Sequence, residues 1–206
     1  MTGLFITLEG GDGSGKSTQM GALTEWLEAR GHAVVQAREP GGTELGLELR
    51  EIILHRRGYI APRSEALLYA ADRAHNIATV VRPALERGDV VIQDRYLDSS
   101  VAYQGAGRVL DPTEVREVSL WATEGLLPHL TVLLDLDPAV GRERLDASRT
   151  RYDRLEAEES AFHERVRAAY LALAAAEPAR FLVLDATLPV DALQASIRDR
   201  VSALLG

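Results

Sequence analysis

The feature that most restricts the fold of this chain is a glycine-rich segment near its start, residues 10–17, with the sequence GGDGSGKS. It matches the pattern G-x-x-x-x-G-K-[ST], and it lies between an apolar run at 4–9 and a segment with apolar residues at helical spacing. Glycines let backbone amides turn inward around a phosphate, and the helix N-terminus adds the positive end of its dipole. The segment therefore predicts a nucleotide-binding loop in an α/β fold.

The basic residues support this prediction, because 22 of the 23 are arginine and the single lysine is Lys16. A compact ammonium on a flexible stem differs chemically from a planar guanidinium, and the loop is where that difference matters. Lys16 supplies a charge for the outer phosphates, and the Ser17 hydroxyl can bind Mg²⁺. The same count excludes a guanine-specific GTPase, whose Asn/Thr-Lys-x-Asp motif needs a second lysine.

Five short apolar runs predict strands at 4–9, 33–38, 90–94, 131–136 and 181–185. Segments with helical periodicity lie between them, which favours a parallel sheet covered on both faces. Helices are predicted from the loop to about residue 30, at 44–54, at 64–86 with a kink or restart at Pro83, and at 191–204. Asp111-Pro112 and Asp137-Pro138 each predict a helix start, with an N-cap carboxylate before proline.

Composition excludes several classes of protein. There is no cysteine, so a disulfide framework, a thiolate metal site and a cysteine nucleophile are impossible. The net charge of −8 is the wrong balance for holding nucleic acid by broad phosphate neutralisation. We find neither a secretory signal nor an apolar run of about 18 residues. We therefore expect one soluble, cytoplasmic domain over 1–206 that binds neither nucleic acid nor membrane.

Two segments follow strands at the edge where open α/β sheets bind ligands. The first, residues 38–43, reads REPGGT, which alone is more typical of an ordinary turn. The second begins with Asp94 and Arg95. Asp94 could hold Mg²⁺ or its waters, and Arg95 could clamp a phosphate in bidentate fashion, or the two could form a buried structural ion pair.

Two groups of side chains at helical spacing could recognise a base or sugar. Ser100, Tyr103 and Gln104 share one helix face if that segment is helical, and Tyr69 and Arg73 repeat the spacing at i, i+4. An aromatic ring can stack on a nucleobase, and an arginine can donate to its carbonyl oxygen. Without the phosphate loop, a partly buried tyrosine over an exposed arginine would be the preferred interpretation of the second group.

A charged stretch between 142 and 167 also has two interpretations. Such a run is usually a solvated helix face. Arg149, Arg151 and Arg154 lie close together beside small residues, however, and so predict a mobile lid at about 146–158 that brings cations over the nucleotide phosphates.

The chain resembles the bacterial thymidylate kinases (dTMP kinases) from end to end, through LEGGDGSGKSTQ, REPGGT, LLYAADRA, DRYLDSSVAYQG and the lid stretch ending in YDRLE. The resemblance implies a P-loop NTPase fold of the nucleoside monophosphate kinase type, with five parallel strands, a short lid and a homodimer. It further implies a phosphotransferase that makes dTDP from dTMP with ATP and Mg²⁺, in dTTP biosynthesis for DNA synthesis.

Carried over by position, the resemblance implies three groups of site residues. For ATP they are Gly10, Gly11, Asp12, Gly13, Ser14, Gly15, Lys16, Ser17 and Thr18, with Ser17 and Asp94 for the metal. For dTMP they are Asp12, Arg38, Glu39, Pro40, Tyr69, Arg73, Arg95, Ser99, Ser100, Tyr103 and Gln104. Among these, Asp12 matches the acid that accepts the sugar 3′-OH, and Tyr103 matches the ring that disfavours a 2′-hydroxyl. By the same resemblance, Lys16 and Arg95 would be the catalytic cations outside the lid.

One departure separates two branches of that family. Some members carry an arginine in the phosphate loop where this chain has Gly13, and others place the catalytic arginine in the lid. The resemblance therefore implies a lid arginine, for which we favour Arg154, with Arg151 next and Arg149 also possible; spacing alone does not decide.

Two other functions fit the same motifs. The first is another nucleoside-phosphate or deoxynucleoside kinase, and the second is a non-catalytic nucleotide-binding protein or assembly ATPase, in which Asp94 and Arg95 would be structural. A dimer surface on Val115, Val118 and Trp121 is equally open, because these apolar residues could instead belong to the core.

Overall fold

The computed structural model describes residues 3–56, 58–148 and 152–206. Its sheet has five parallel strands in the order β2-β3-β1-β4-β5. The strands are β1 (Leu4–Glu9), β2 (Val34–Arg38), β3 (Val90–Asp94), β4 (Leu130–Asp135) and β5 (Phe181–Asp185). The predicted fold class is confirmed, and each predicted strand is correct to within one residue at either end.

Nine α-helices lie in the described part of the chain. They are α1 (Lys16–Glu28), α2 (Glu44–Arg50), α3 (Pro62–Asn76), α4 (Arg82–Arg87), α5 (Leu97–Ser100), α6 (Pro112–Ala122), α7 (Pro138–Ser148), α8 (Ser160–Ala176) and α9 (Val190–Leu205). Three of them, α2, α3 and α5, continue directly into π-helical turns, at Glu51–His55, Ile77–Val81 and Val101–Gly107. None of the helices in these ranges combines the length and apolar character needed to cross a bilayer.

Local sequence signals explain where several helices begin. Asp111 caps α6, its Oδ1 accepting from Thr113 N at 2.8 Å, and Asp137 Oδ1 accepts from Ala139 N at 2.9 Å at the start of α7. Both predicted Asp-Pro helix starts are therefore confirmed. The predicted interruption near Pro83 takes the form of the π-helical turn at Ile77–Val81, after which the proline occupies the first turn of α4.

The core lies on both faces of the sheet. On β1, Leu4, Ile6 and Leu8 face a cluster that includes apolar residues of α1 and α9, whereas Phe5 faces a cluster that includes the turn at Ile77–Val81 and α4. This alternation follows from the two-residue period of a strand. Both faces are covered, so a ligand site is expected at the edge formed by the carboxyl ends of the strands, where open α/β sheets bind ligands.

Three strand ends meet at that edge. Parallel pairing sets Leu8 beside Asp94 and Asp94 beside Arg38, so the ends of β1, β3 and β2 lie side by side. The phosphate loop follows β1 directly. The register therefore places the REPGGT segment and the Asp94-Arg95 segment next to the loop, as the topology of open α/β sheets requires.

Candidate active site

The phosphate loop ends in a helix whose first amides have no side-chain cap. Gly15 occupies the N-cap position in the left-handed conformation, at φ 92°, and the first turn of α1 carries no acidic residue. The Lys16 ammonium donates to Gly10 O at 3.1 Å and to Gly11 O at 2.9 Å, within the curve of the loop. Uncapped amides and a lysine folded into the same concavity form a site for an anion.

Close packing explains two of the loop glycines. A Cβ atom on Gly13, whose φ is +76°, would lie 2.6 Å from Gly141 O at the start of α7, and one on Gly10 would lie 2.4 Å from Leu134 O. Both contacts are with rigid backbone. These glycines are therefore required by the fit of the loop against β4 and α7 as well as by its curvature.

The loop and the predicted acceptor residues share one cleft of about 520 Å³, a size suited to small molecules. The predicted residues that line it are Asp12, Gly13, Gly15, Lys16, Ser17, Thr18, Arg38, Glu39, Pro40, Tyr69, Arg73, Asp94, Arg95, Ser99, Ser100, Tyr103 and Gln104. Gly10 and Gly11 line a smaller neighbouring cavity instead, and the side chain of Ser14 is buried.

Arg95 lies between the loop and the acceptor side of the cleft. Its guanidinium donates to Asp12 Oδ1 at 2.6 Å and lies 5.0 Å from the centre of the Tyr103 ring, whose hydroxyl donates to Asp12 Oδ2 at 3.4 Å. Burial by itself would raise the pKa of Asp12, but Arg95 and Lys16 lower it below its ordinary value. Asp12 is thus a carboxylate, and a hydrogen-bond acceptor, at neutral pH.

The backbone of Arg95 is strained, with φ at +66° in the left-handed region. Its amide donates to Leu8 O at 3.0 Å, and Gln93 Nε2 donates to its carbonyl at 3.0 Å. These bonds to β1 and β3 hold a conformation that costs about 1–3 kcal/mol. The strain directs the guanidinium into the cleft. Burial there would lower the pKa of Arg95, but Tyr103 and then Asp12 outweigh it and raise that pKa above its usual value.

A buried acid, Glu9, supports this arrangement and was not among the predicted site residues. Its carboxylate accepts from Tyr96 N at 2.8 Å, from Ser99 Oγ at 2.6 Å and from Tyr170 Oη at 2.8 Å. Burial, and then Asp98, raise the pKa of Glu9 to about 7. An acid that ends an apolar strand immediately before the phosphate loop was the available sequence signal.

The predicted base-binding arginine, Arg73, is almost fully buried and already has several partners. Nε donates to Glu39 Oε2 at 2.7 Å, and one terminal nitrogen donates to Ser119 Oγ at 3.1 Å. The other donates to Tyr96 O at 3.2 Å and to Ser100 Oγ at 3.0 Å. A guanidinium has five N–H groups. One N–H therefore remains for a ligand. The other four tie α3 to the residue that follows β2, to the start and end of the Tyr96–Ser100 segment, and to α6.

Oxygen ligands suitable for a magnesium ion lie beside the loop. Asp94 Oδ1 is buried without a hydrogen-bond partner, and the exposed Ser17 hydroxyl lines the same cleft. In the described residues no group of three or more His, Asp or Glu side chains could form a full cage. One carboxylate, one hydroxyl and space for further oxygens fit Mg²⁺, which usually keeps waters and phosphate oxygens as ligands.

The favoured lid arginine, Arg154, does not line the cleft. Its terminal nitrogen lies 2.6 Å from Glu65 Oε2, and its Nε donates to Ile53 O at 2.8 Å. In this arrangement Arg154 ties its own segment to α3 and to the turn after α2, which differs from our expectation that it acts on the phosphates. Arg149 and Arg151 lie outside the described residues.

Two cations in the cleft were missed by the sequence analysis. Arg50, at the end of α2, donates to Pro40 O at 2.8 Å, and Arg144, on α7, donates to Gly13 O at 3.2 Å and to Ala186 O at 3.1 Å. Neither belongs to a recognisable motif. Gly41 was a weak sequence signal for Arg50. A Cβ atom at position 41 would lie 2.9 Å from Arg50 Cδ, so a glycine there leaves room for the arginine side chain.

Comparison with known proteins agrees with this geometry. Residues 8–197 match the family model described as thymidylate kinase. The chain belongs to the thymidylate kinase family. The assignment made from the sequence motifs is thereby confirmed, and enzymes of this family phosphorylate dTMP to dTDP with ATP.

Relatives match this chain along almost its whole length. The thymidylate kinase of Leifsonia xyli subsp. xyli is 74% identical, covering 97% of this chain and 94% of its own. That of Clavibacter sepedonicus is 72% identical, covering 100% and 97%. Among solved structures, the thymidylate kinase of Ehrlichia chaffeensis matches with a TM-score of 0.79 at 27% identity, covering 98% of this chain and 99% of its own.

Proposed function

We propose that this chain transfers the γ-phosphoryl group of ATP to the phosphate of dTMP, with Mg²⁺, by the residues assembled in the 520 Å³ cleft. The observation that carries the proposal is that a phosphate loop and a pocket with an aromatic ring, an arginine and an amide open into the same cleft. Arg95 lies between them.

On the donor side, the uncapped amides of the loop and Lys16 bind the ATP phosphates. The Lys16 ammonium is held by two loop carbonyls, and phosphate oxygens replace these acceptors when the nucleotide binds. Burial, together with Arg95, lowers the pKa of Lys16, while the neighbouring carboxylates oppose that change. A charged ammonium beside the outer phosphates stabilises the charge that spreads over their oxygens during transfer.

On the acceptor side, the thymine ring stacks on Tyr69, and the base carbonyl accepts the remaining N–H of Arg73. Asp12, kept ionised by Arg95 and Lys16, accepts the hydrogen bond of the sugar 3′-OH. Tyr103 donates to Asp12, so its ring lies beside the proposed sugar position, where it would disfavour a 2′-hydroxyl.

The acceptor phosphate is itself an anionic nucleophile, so a strong general base is unnecessary. The main barrier is repulsion between two polyanions, which cations at the sheet edge reduce. Arg95 meets both phosphates, and Arg38 and Arg50 line the acceptor side of the same cleft. An acidic protein can thus bind two anions because its cations converge at one place.

Ser17 and Asp94 are the residues that would hold Mg²⁺. The ion neutralises phosphate charge when bound. The unpartnered Asp94 oxygen and the exposed Ser17 hydroxyl support this assignment.

The chain acts as one domain over 1–206, and its lid at about 146–158 supplies the transfer arginine. Because Arg154 is held by Glu65 and Ile53 O, we assign that role to Arg149 or Arg151. Losing an arginine that acts mainly on the transition state should lower kcat by roughly 10³ to 10⁵-fold.

We also propose a cytoplasmic homodimer. Of the three apolar candidates on α6, Val115 is buried in the core, Val118 is half-buried, and Trp121 is 83% exposed. Leu67 on α3, which packs beside α6, is 58% exposed. Exposed apolar side chains on two adjacent helices are suited to contact with a second copy.

The test is an ADP-release assay with dTMP, dUMP, UMP, CMP and AMP as acceptors. We expect dTMP to give the highest kcat/KM and each acceptor to be consumed in proportion to ADP. A preference for AMP or CMP would contradict the proposed substrate. ATP hydrolysis that no nucleoside monophosphate stimulates would contradict the kinase activity itself.

A further inference from the structure

A fully buried carboxylate on α3, Glu65, connects the base pocket to the lid. Its Oε1 accepts from Gln104 Nε2 at 2.9 Å and from Arg108 Nε at 3.2 Å, and its Oε2 lies 2.6 Å from a terminal nitrogen of Arg154. Two guanidinium groups compensate its charge, so the carboxylate can remain buried. The role assigned to Glu65 below rests on the proposed kinase function.

The contact with Glu65 determines which way the Gln104 amide faces. A carboxylate only accepts hydrogen bonds, whereas the two ends of a glutamine amide differ, one being NH₂ and the other a carbonyl oxygen. Only the NH₂ end can bond to Glu65, because the opposite orientation would bring two acceptor oxygens together in a buried site. The Gln104 Oε1 atom is therefore directed away from Glu65.

That oxygen is free for a ligand. Gln104 lines the cleft, and its Oε1 accepts no hydrogen bond from any residue in the described ranges. Pyrimidine bases differ at the atom such an oxygen would meet. Thymine and uracil carry an N3–H donor, and cytosine carries a lone pair at N3. An amide oxygen accepts a hydrogen bond from the N3–H of thymine or uracil, and the N3 lone pair of cytosine repels it.

We propose that Glu65 is a positioning residue that determines base specificity by holding the Gln104 oxygen toward the N3–H of thymine. Glu65 does not touch the base. It acts by preventing the Gln104 amide from turning over, and so excludes cytosine nucleotides. Arg73 acts in the same direction, because its free N–H suits a carbonyl oxygen and opposes the amino group of cytosine.

The test is the variant Glu65→Gln with dTMP, dUMP and dCMP as acceptors. A glutamine at position 65 can donate or accept, so the amide of Gln104 can take either orientation. The ratio of kcat/KM for dTMP over dCMP should fall by about 10 to 100-fold. The ratio for dTMP over dUMP should not change, since both bases carry the N3–H. General loosening of the pocket would alter both ratios.

Arg108→Met is the matched control. It removes one cation from the same cluster but keeps the carboxylate of Glu65, so the dTMP over dCMP ratio should stay at the wild-type value whatever the rates. If Glu65→Gln does not fold, it can be combined with Arg108→Met and Arg154→Met, because this triple variant leaves no unpaired buried charge. Its dTMP over dCMP ratio should fall as expected for Glu65→Gln alone.

An unchanged dTMP over dCMP ratio in a folded Glu65→Gln or triple variant would overturn this assignment, as would a control variant that relaxes it equally. Wild-type enzyme that does not phosphorylate dTMP would instead contradict the proposed function, so the two failures are distinguishable.

Discussion

Replacing Tyr170 with phenylalanine removes one oxygen atom from the buried cluster beneath the phosphate loop. The Tyr170 hydroxyl donates to Glu9 Oε2 at 2.8 Å and lies 2.8 Å from Ser99 Oγ. The tyrosine is only 2% exposed, so water does not replace the lost donor. A hydrogen bond contributes about 0.5–1.5 kcal/mol between neutral groups and about 1.5–3 kcal/mol to a charged group. The cost of the variant therefore depends on the ionisation of Glu9.

Burial, and then Asp98, raise the pKa of Glu9 from 4.5 to about 7 in the folded protein, while the hydroxyls of Ser99 and Tyr170 lower it. A carboxyl whose folded pKa is raised contributes stability below its unfolded pKa of 4.5, and loses it as the pH rises to about 7. Removing the Tyr170 hydroxyl raises the folded pKa further. The destabilisation caused by the variant must therefore grow with pH.

We expect Tyr170→Phe to lower the free energy of unfolding by about 1 kcal/mol at pH 5.5, where Glu9 is protonated, and by about 2–3 kcal/mol at pH 8.5, where it is ionised. Urea denaturation at the two pH values measures both quantities. Tyr96→Phe is the matched control, because the Tyr96 hydroxyl is equally buried but donates to the backbone oxygen of Leu126 at 3.0 Å.

The control should lose about 1 kcal/mol at either pH. A Tyr170→Phe cost that is equal at pH 5.5 and 8.5, or larger at pH 5.5, would refute the assignment of a titrating Glu9 beneath the loop. A control with the same pH dependence would show that the effect belongs to the whole protein and not to this carboxyl.

Three further predictions concern the loop and its ion. Gly13→Ala places an alanine in the left-handed region against Gly141 O and should raise the KM for ATP about tenfold or more. In the control Gly11→Ala the added Cβ meets no atom within 4 Å, so its KM for ATP should resemble that of the wild type. Equal KM values for the two variants would contradict the packing argument. Pyridoxal phosphate can modify only Lys16 besides the N-terminal amine, and ATP should prevent the inactivation; full activity after modification of that lysine would contradict its role. Asp94→Asn should raise the Mg²⁺ concentration for half-maximal rate, and an unchanged requirement would exclude that ligand.

Much of the fold was predictable because its signals are local. Strand boundaries followed apolar runs whose ends are marked by polar residues, and the caps at Asp111 and Asp137 depend on atoms two residues away. The nucleotide loop was predictable for the same reason, since its amides and its lysine belong to eight consecutive residues. The family motifs also contain most of the residues that line the cleft, so these residues were predicted from the sequence.

The partners of the charged side chains were less predictable. The sequence favoured Arg154 for the transfer step, but the structure places it on Glu65, which is 89 positions earlier in the chain. Arg73 was expected to face the base, and most of its N–H groups hold other parts of the fold. A charged residue in a motif has a known chemistry. Its orientation, however, depends on which oppositely charged group comes within reach when the helices and strands pack.

The amino-acid sequence alone specified the phosphate loop, the parallel sheet and the family, because each depends on contiguous residues or on the period of apolar positions. Packing between distant elements specified the orientation of the site. Glu9 meets Tyr170 across 161 positions, and Gln104 meets Glu65 across 39. A buried polar group must find a partner or lose the free energy of its hydration. That requirement is satisfied by atoms from remote segments, so the orientation of Arg95 and Gln104 follows from the tertiary structure.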